Sequence, residues 1–184
     1  MTPRARVTGF GPFGAVTSNP SAPIAAALAA GLVARGWDAR HETLAVTFEE
    51  AQAAPLRLLA AGPALLVHVG VAESRRHVSL ERSARRAAGD RPDVAGRRSP
   101  PRLDPSGPPE RATTLDVHAL RRALSTPLDV EVSDDCGDYV CNALYYASLA
   151  LAPGGRSLFV HVPLLDDDGA RALGHALAEA LVVL

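Results

Sequence analysis

Cysteine is the residue of this chain whose position most directly suggests chemistry. Cys141 lies in the segment SDDCGDYVCNALYY, where an apolar strand is expected to pass through a glycine turn into a helix. A helix that begins near Asp138 places Cys141 in its first turn, where unpaired amides and the helix dipole favour a thiolate and can hold an oxyanion. The alternative is a core cysteine, which is the more frequent role of a free cysteine.

A histidine at the end of an apolar strand is a candidate base for such a thiol. His161 lies in LFVHVPLL, shortly before Pro163 is expected to end the strand. The carboxyl end of a strand favours a functional role, although a hydrogen-bonded core histidine is the usual alternative. His68 in LLVHVG has similar surroundings. One histidine pattern therefore does not decide between the two roles.

An acid in an arginine-rich stretch is the third candidate. Glu81 lies in VSLERSARR, with Arg75 and other arginines close by. A carboxylate can hold one imidazole N–H so that the other ring nitrogen faces a thiol. The alternative is a glutamate that forms a salt bridge within a basic loop, and the sequence leaves both open.

A glycine-rich segment, GFGPFG, occupies residues 9–14 and formally matches the dinucleotide-binding pattern. Pro12 interrupts the turn, and no helix can begin before Asn19 and Pro20, so the helix N-terminus that pyrophosphate binding needs is missing. We expect instead a rigid loop that presents Phe10 and Phe13 to a cleft, where two aromatic faces can enclose a small planar ring.

The elements that must position these residues alternate between strand and helix patterns. We predict strands over 4–10, 39–46, 64–69, 77–80, 128–133 and 158–162, and helices over 21–35, 48–61, 138–150 and 168–184. This alternation predicts one α/β domain over residues 1–184, an α/β/α sandwich with a mostly parallel twisted sheet and helices on both faces. Residues 88–112 contain six prolines and five arginines, so we predict an irregular loop there.

Composition excludes several classes of function. A net charge of −1 and an aromatic content of 4% argue against a nucleic-acid partner. The chain begins without an apolar leader and has no segment that could span a membrane, so we expect a cytoplasmic protein. Cys136 and Cys141 have neither a redox nor a zinc spacing, and no histidine cluster suggests a metal site.

Four blocks of the sequence together resemble the pyroglutamyl peptidase I family of cysteine peptidases, also called pyrrolidone-carboxylate peptidases. The blocks are TGFGPFG at 8–14 with NP at 19–20, VG at 69–70 with ER at 81–82, SDDCGDYVC at 133–141, and FVHVP at 159–163. They occur in the order and spacing of the family. Cys136 stands where alanine is usual, Arg86 stands where asparagine is usual, and the 88–112 loop is divergent.

The resemblance implies hydrolysis of the amide bond after an N-terminal pyroglutamyl residue of small peptides, without a metal or organic cofactor. It implies Cys141 as nucleophile, His161 as base and Glu81 as the residue that orients the base. The residues expected to line the substrate pocket are Phe10, Phe13, Val71, Tyr139 and Val140, with Arg91 near the oxyanion. A related cysteine hydrolase for another cyclic or N-acyl amide, or a non-catalytic binding homologue, remains open, as does a homo-oligomer.

Overall fold

A mixed central sheet with helices on both faces forms the architecture of this protein. The computed structural model describes residues 2–152 and 156–184. Within these ranges the elements are β1 Arg4–Phe10, α1 Ser21–Val33, β2 Asp38–Leu44, α2 Phe48–Leu59, β3 Leu65–Val71, β4 Val78–Glu81, β5 Ser83–Arg85, β6 Glu110–Ala112, α3 Val117–Ala123, β7 Val130–Ser133, α4 Val140–Leu151, β8 Arg156–Val162 and α5 Asp167–Val182.

The sheet has the strand order β2-β1-β3-β8-β4-β7 in the described part of the chain. The pairs β2–β1, β1–β3 and β3–β8 are parallel, whereas β4 is antiparallel to β8 and parallel to β7. The predicted α/β class with a mostly parallel sheet is therefore confirmed. The reversal between β8 and β4 brings the end of β4 against the middle of β8.

Side-chain alternation divides the core into two layers, because successive residues of a strand point to opposite faces. Val69, Val160 and Leu80 pack on the layer formed by α1, α3 and α5. Leu66 and Phe159 pack on the opposite layer, formed by α2 and α4. His161 and Glu81 have the same parity as Phe159, so both lie on the α4 side of the sheet.

Local sequence signals account for most helix starts. Thr47 caps α2 by accepting a hydrogen bond from the Glu50 amide at 3.2 Å, and Asp166 caps α5 through the Gly169 amide at 2.8 Å. At α1 the N-cap residue is Pro20, and the side chain of Asn19 accepts from the Ser21 amide at 3.1 Å. Side-chain oxygens thus satisfy amides that the helix itself leaves unpaired.

Four features of the local structure differ from the predictions. The helix predicted from 138 begins at Val140, and β3 continues through Gly70 to Val71. Residues 110–112 of the predicted loop form β6, which pairs with β5, a strand that was not among the predicted elements. The helix α3, which Asp116 caps and which buries Val117 and Leu120, had no counterpart in the predicted elements because its apolar pattern covers only two turns.

No helix within residues 2–152 and 156–184 has the length and apolar character needed to cross a bilayer.

Candidate active site

A hydrogen-bonded histidine–glutamate pair lies at the carboxyl edge of the sheet. The Nδ1 atom of His161 lies 2.8 Å from Oε1 of Glu81. Glu81 is fully buried and His161 is 5% exposed, so water competes little with this bond. A carboxylate accepts and cannot donate, so Nδ1 carries the proton and Nε2 is the basic nitrogen of the neutral ring.

Strand register explains why these two residues meet although 80 positions separate them. In the antiparallel β4–β8 pair, Ser79 is opposite His161 and Glu81 is opposite Phe159. Glu81 and His161 are therefore diagonal neighbours on one face, within reach of long side chains. A shift of one residue in either strand would turn its side chain to the opposite helix layer.

Cys141 approaches this pair from the helix layer. Gly137 has a positive φ of 79° and turns the chain toward α4, whose first turn contains Cys141. A Cβ atom built on Gly70 would lie 3.2 Å from the Cys141 sulfur and 2.8 Å from the Phe159 ring. Gly70 is the register partner of His161 in the parallel β3–β8 pair. The glycine thus leaves room for the sulfur beside the strand that carries the imidazole.

The surroundings of Cys141 keep its thiol protonated. Burial raises its pKa to about 12, and the negative charge of Glu81 acts in the same direction. The amide of Cys141 itself and the Arg75 guanidinium act in the opposite direction but do not outweigh burial. The thiolate favoured by the helix start alone is therefore not preformed, and attack by this sulfur requires a base.

The second cysteine differs from the first in exposure. Cys136 is 3% exposed, and burial raises its pKa well above the ordinary value for a thiol. Cys141 is partly exposed and begins a helix. The N-cap residue of α4 is Tyr139, and its side chain forms no hydrogen bond with the first amides of this helix. These amides are available to an oxyanion at Cys141.

A cavity of about 340 Å³ brings most of the expected residues together. Its wall includes Cys141, His161, Phe10, Phe13, Val71, Tyr139 and Arg91. Glu81 lies behind His161 and does not face the cavity. The expectation that Val140 lines the pocket is corrected: this side chain is fully buried in the core between α4 and the sheet, because the first residue of α4 points inward.

The loop after β5 forms one side of the cavity. The Arg91 guanidinium lies 4.6 Å from the centre of the Tyr139 ring, and the Tyr139 hydroxyl donates to the Pro92 carbonyl at 3.1 Å. The buried Asp93 accepts from the Phe48 amide at 3.0 Å and from the Arg97 amide at 2.9 Å. These bonds fix the middle of the proline-rich loop to the start of α2 and hold Arg91 at the cavity wall.

Arg75 was absent from the predicted site, although it contacts Glu81 and lines the cavity. Arg75 places its Nη1 atom 2.5 Å from Oε1 of Glu81. It also lines the cavity, as do Asn19, Glu73, Ser74, Cys136, Gly137 and Asp138. The sequence signal was the arginine-rich stretch around Glu81, but several arginines share that stretch and only the fold selects one of them.

Comparison with known proteins identifies the family. A sequence model of the pyroglutamyl peptidases matches residues 4–177. The chain belongs to the pyroglutamyl peptidase family. It is 32% identical to the pyrrolidone-carboxylate peptidase of Gloeobacter violaceus, over 98% of this chain and 91% of that protein. It is 34% identical to human pyroglutamyl-peptidase 1, over 93% of this chain and 84% of that protein.

Solved structures of pyroglutamyl peptidases share this fold. The pyrrolidone carboxyl peptidase of Thermus thermophilus superimposes with a TM-score of 0.78 at 29% identity, covering 95% of this chain and 99% of that one. A mutant of the Pyrococcus furiosus enzyme gives a TM-score of 0.84 at 25% identity, covering 98% of each chain. The family match includes every residue of the candidate site, so the site belongs to the part of the chain shared with these peptidases.

Proposed function

We propose that this protein is a cysteine exopeptidase that hydrolyses the amide bond after an N-terminal pyroglutamyl residue of peptides. Membership of the pyroglutamyl peptidase family over residues 4–177 carries the reaction type. The His161–Glu81 hydrogen bond, together with a cavity that both His161 and Cys141 line, supports the assignment of roles. The catalytic unit in this proposal is one domain, residues 1–184.

The walls of the cavity suit an uncharged ring. Phe10, Phe13 and Val71 offer apolar surface, and the Tyr139 ring stands edge-on to Phe48 with 5.6 Å between the ring centres. A pyroglutamyl lactam has no amino charge, so its transfer from water into such surroundings costs less hydration free energy than the transfer of an ammonium group. An ordinary N-terminal ammonium group would be costly to bury there. Discrimination against free N-termini follows from this difference.

Acylation begins with proton transfer from Cys141 to His161. Because burial raises the pKa of the Cys141 thiol to about 12, the proton leaves as the sulfur attacks the carbonyl carbon, and Nε2 of His161 receives it. Glu81 stabilises the imidazolium through Nδ1. The amides at the start of α4, with Arg91 at the cavity wall, stabilise the oxyanion of the tetrahedral intermediate.

Collapse of that intermediate breaks the carbon–nitrogen bond. The imidazolium of His161 donates its proton to the leaving amine, and the shortened peptide departs. A water molecule then gives a proton to His161 and attacks the thioester. Pyroglutamic acid is released, and the proton returns to the sulfur of Cys141. The cycle consumes one water per bond and returns the enzyme to its initial protonation state.

A chromogenic pyroglutamyl amide tests this proposal directly. We expect the purified protein to hydrolyse it in preference to prolyl, alanyl and N-acetyl amides of the same leaving group. Cys141→Ala should lower kcat by at least about 1,000-fold, whereas the matched control Cys136→Ala should retain most of the activity. A preference for another acyl group would contradict the assignment of pyroglutamyl peptides as the substrate. Full activity of Cys141→Ala would overturn the mechanism.

We place this activity in the cytoplasm. A thiol nucleophile must stay reduced to act, and both cysteines of this chain are free. Fractionation of cells that express the tagged protein tests the location, and recovery outside the cytoplasmic fraction would contradict it.

A further inference from the structure

Glu81 has two cationic or potentially cationic partners rather than one. Its Oε1 atom lies 2.8 Å from His161 Nδ1 and 2.5 Å from Arg75 Nη1. The other oxygen, Oε2, is buried and has no hydrogen-bond partner among the described residues. Both contacts therefore converge on one oxygen of a side chain that is fully buried.

A buried carboxylate with this environment depends on a nearby positive charge. Before the reaction, His161 must be neutral to act as a base, so it offers Glu81 a hydrogen bond but no charge. An ionised carboxylate that is out of water without a cation is costly, and it takes up a proton instead. A protonated Glu81 could not stabilise the imidazolium that forms as Cys141 attacks. Arg75 supplies a charge that is present in every step.

The other terminal nitrogen of the Arg75 guanidinium contacts the segment that leads to the nucleophile. Its Nη2 atom donates to the backbone carbonyl of Asp135 at 2.6 Å. Asp135 lies between β7 and α4, and its carboxylate pairs with Arg85. One guanidinium therefore connects the carboxylate behind His161 with the turn that precedes Cys141. The fork of an arginine suits two such contacts, and a lysine would satisfy only one of them well.

We propose that Arg75 is a positioning residue of the peptidase: its guanidinium balances the charge of the buried Glu81 carboxylate and holds this carboxylate on Nδ1 of His161, so that Nε2 remains the base for Cys141. This inference rests on the proposed function and adds a fourth residue to the three that the sequence motifs indicate. Arg75 acts through Glu81 and not on the substrate.

The neighbours of the pair determine how the pH profile should be interpreted. Glu81 and His161 share one hydrogen bond, so a change in the acidic limb is assigned to the pair and not to either residue alone. Among the described residues, the titratable groups close to the pair or to Arg75 include Arg75 itself on the loop before β4, Asp135 and Cys136 on the turn before α4, and Cys141 and Tyr145 on α4. The thiols and the phenol are neutral below pH 7, because burial raises the pKa of each. The Gly137 amide and the Arg85 and Arg75 guanidinium groups lower the pKa of Asp135 against the effect of burial, so its charge is the same in all variants. Arg75 is then the charged neighbour that the variants remove.

The test compares Arg75→Met, Arg75→Lys and wild type in kcat, in KM and in the acidic limb, which is the fall of kcat/KM at low pH. Removal of the charge in Arg75→Met should lower kcat about 10- to 100-fold at pH 7, leave KM within about threefold, and move the acidic limb up by about one pH unit. Arg75→Lys keeps the charge, so its limb should stay within about 0.3 units of wild type while kcat falls less.

Arg82, which forms a salt bridge with Asp134, provides a matched control. Arg82 neighbours Glu81 in sequence, but its guanidinium forms an exposed pair with Asp134 at 2.6 Å. Arg82→Met should leave kcat, KM and the limb unchanged within about twofold. If Arg75→Met does not fold, Arg75→Gln, which keeps an N–H donor but no charge, should show the same upward shift.

Three results would overturn the role of Arg75. These are an unmoved acidic limb in the uncharged variants, a higher KM with unchanged kcat, or a limb in Arg75→Lys that moves as far as in Arg75→Met. A wild-type protein that does not hydrolyse pyroglutamyl amides would refute the proposed function itself. An active wild type with unshifted Arg75 variants would refute only the inference about Arg75.

Discussion

Two histidines on neighbouring strands occupy almost the same sequence pattern and have different surroundings. His68 lies on β3 and His161 on β8, and both point to the α4 side of the sheet. His68 is the register partner of Phe159, while His161 is the partner of Gly70, two residues nearer the carboxyl edge. One row of the sheet therefore separates a fully buried imidazole from one that reaches the cavity.

Hydroxyl groups surround the deeper histidine. Nδ1 of His68 lies 2.7 Å from the Thr8 hydroxyl, and Nε2 lies 2.9 Å from the Ser148 hydroxyl. The Ser148 hydroxyl donates to the Leu144 carbonyl, so it accepts from Nε2–H, and Thr8 donates to Nδ1. Burial lowers the pKa of His68 to about 3. Both nitrogens are used and the ring is neutral, which is the structural role that the sequence left open.

The outer histidine has one carboxylate partner and one free side. Glu81 holds Nδ1 of His161, and the cavity gives Nε2 access to a substrate and to Cys141. The difference teaches that the charge of the partner and the row of the sheet, more than the local apolar sequence, separate a structural histidine from a base. Substitution of His161 should therefore lower kcat, whereas substitution of His68 should lower the free energy of unfolding.

Loss of the outer imidazole should have the largest effect. His161→Ala removes the base that a thiol with a pKa of about 12 needs, so kcat should fall by at least about 1,000-fold, or about 4 kcal/mol. Steady-state kinetics with the pyroglutamyl amide measure it, and circular dichroism checks that the fold survives. Retention of more than a tenth of wild-type kcat would show that another group takes the proton.

Loss of the inner imidazole should instead affect folding. His68→Ala leaves a cavity and two buried hydroxyls without their partner, and should lower the free energy of unfolding by about 3 kcal/mol. Urea denaturation measures this change. The folded fraction should keep kcat within about threefold of wild type. A large loss of kcat with unchanged stability would reverse the assignment of the two histidines.

The carboxylate is what distinguishes the two environments, so its charge can be tested alone. Glu81→Gln keeps the shape and a hydrogen-bonding oxygen but cannot stabilise an imidazolium. We expect kcat to fall about 30-fold, or about 2 kcal/mol, with little change in KM. An activity equal to that of the wild type would reduce Glu81 to a structural group comparable with Thr8 and Ser148.

The pH dependence of stability should report His68. Its pKa is about 3 in the folded protein against 6.5 for an ordinary histidine, so the unfolded chain binds more protons between these values. The contribution of His68 to the free energy of unfolding is fully present above pH 6.5 and is lost as the pH falls. The loss from this group is about 1.4 kcal/mol at pH 5.5. Urea denaturation at pH 7.5 and pH 5.5 measures it. His68→Gln cannot titrate, so an equal loss in this variant would contradict the assignment.

The sequence by itself determined much of the framework. The alternation of strand and helix patterns predicted the α/β layers. The apolar run at 64–69 predicted β3, because a strand whose two faces are both covered is apolar throughout. Pairs of residues close in sequence set these features. The four motif blocks also singled out Cys141, His161 and Glu81 before their geometry was known.

Tertiary structure alone decided which of the candidates meet. Register between β4 and β8 brings Glu81 to His161, and Gly70 leaves the space that the Cys141 sulfur occupies. Packing turned Val140 into the core and selected Arg75 from several arginines. Burial, which raises the pKa of the Cys141 thiol, depends on the whole surrounding layer. These features arise from contacts between distant segments, and local patterns carry no information about which segments become neighbours.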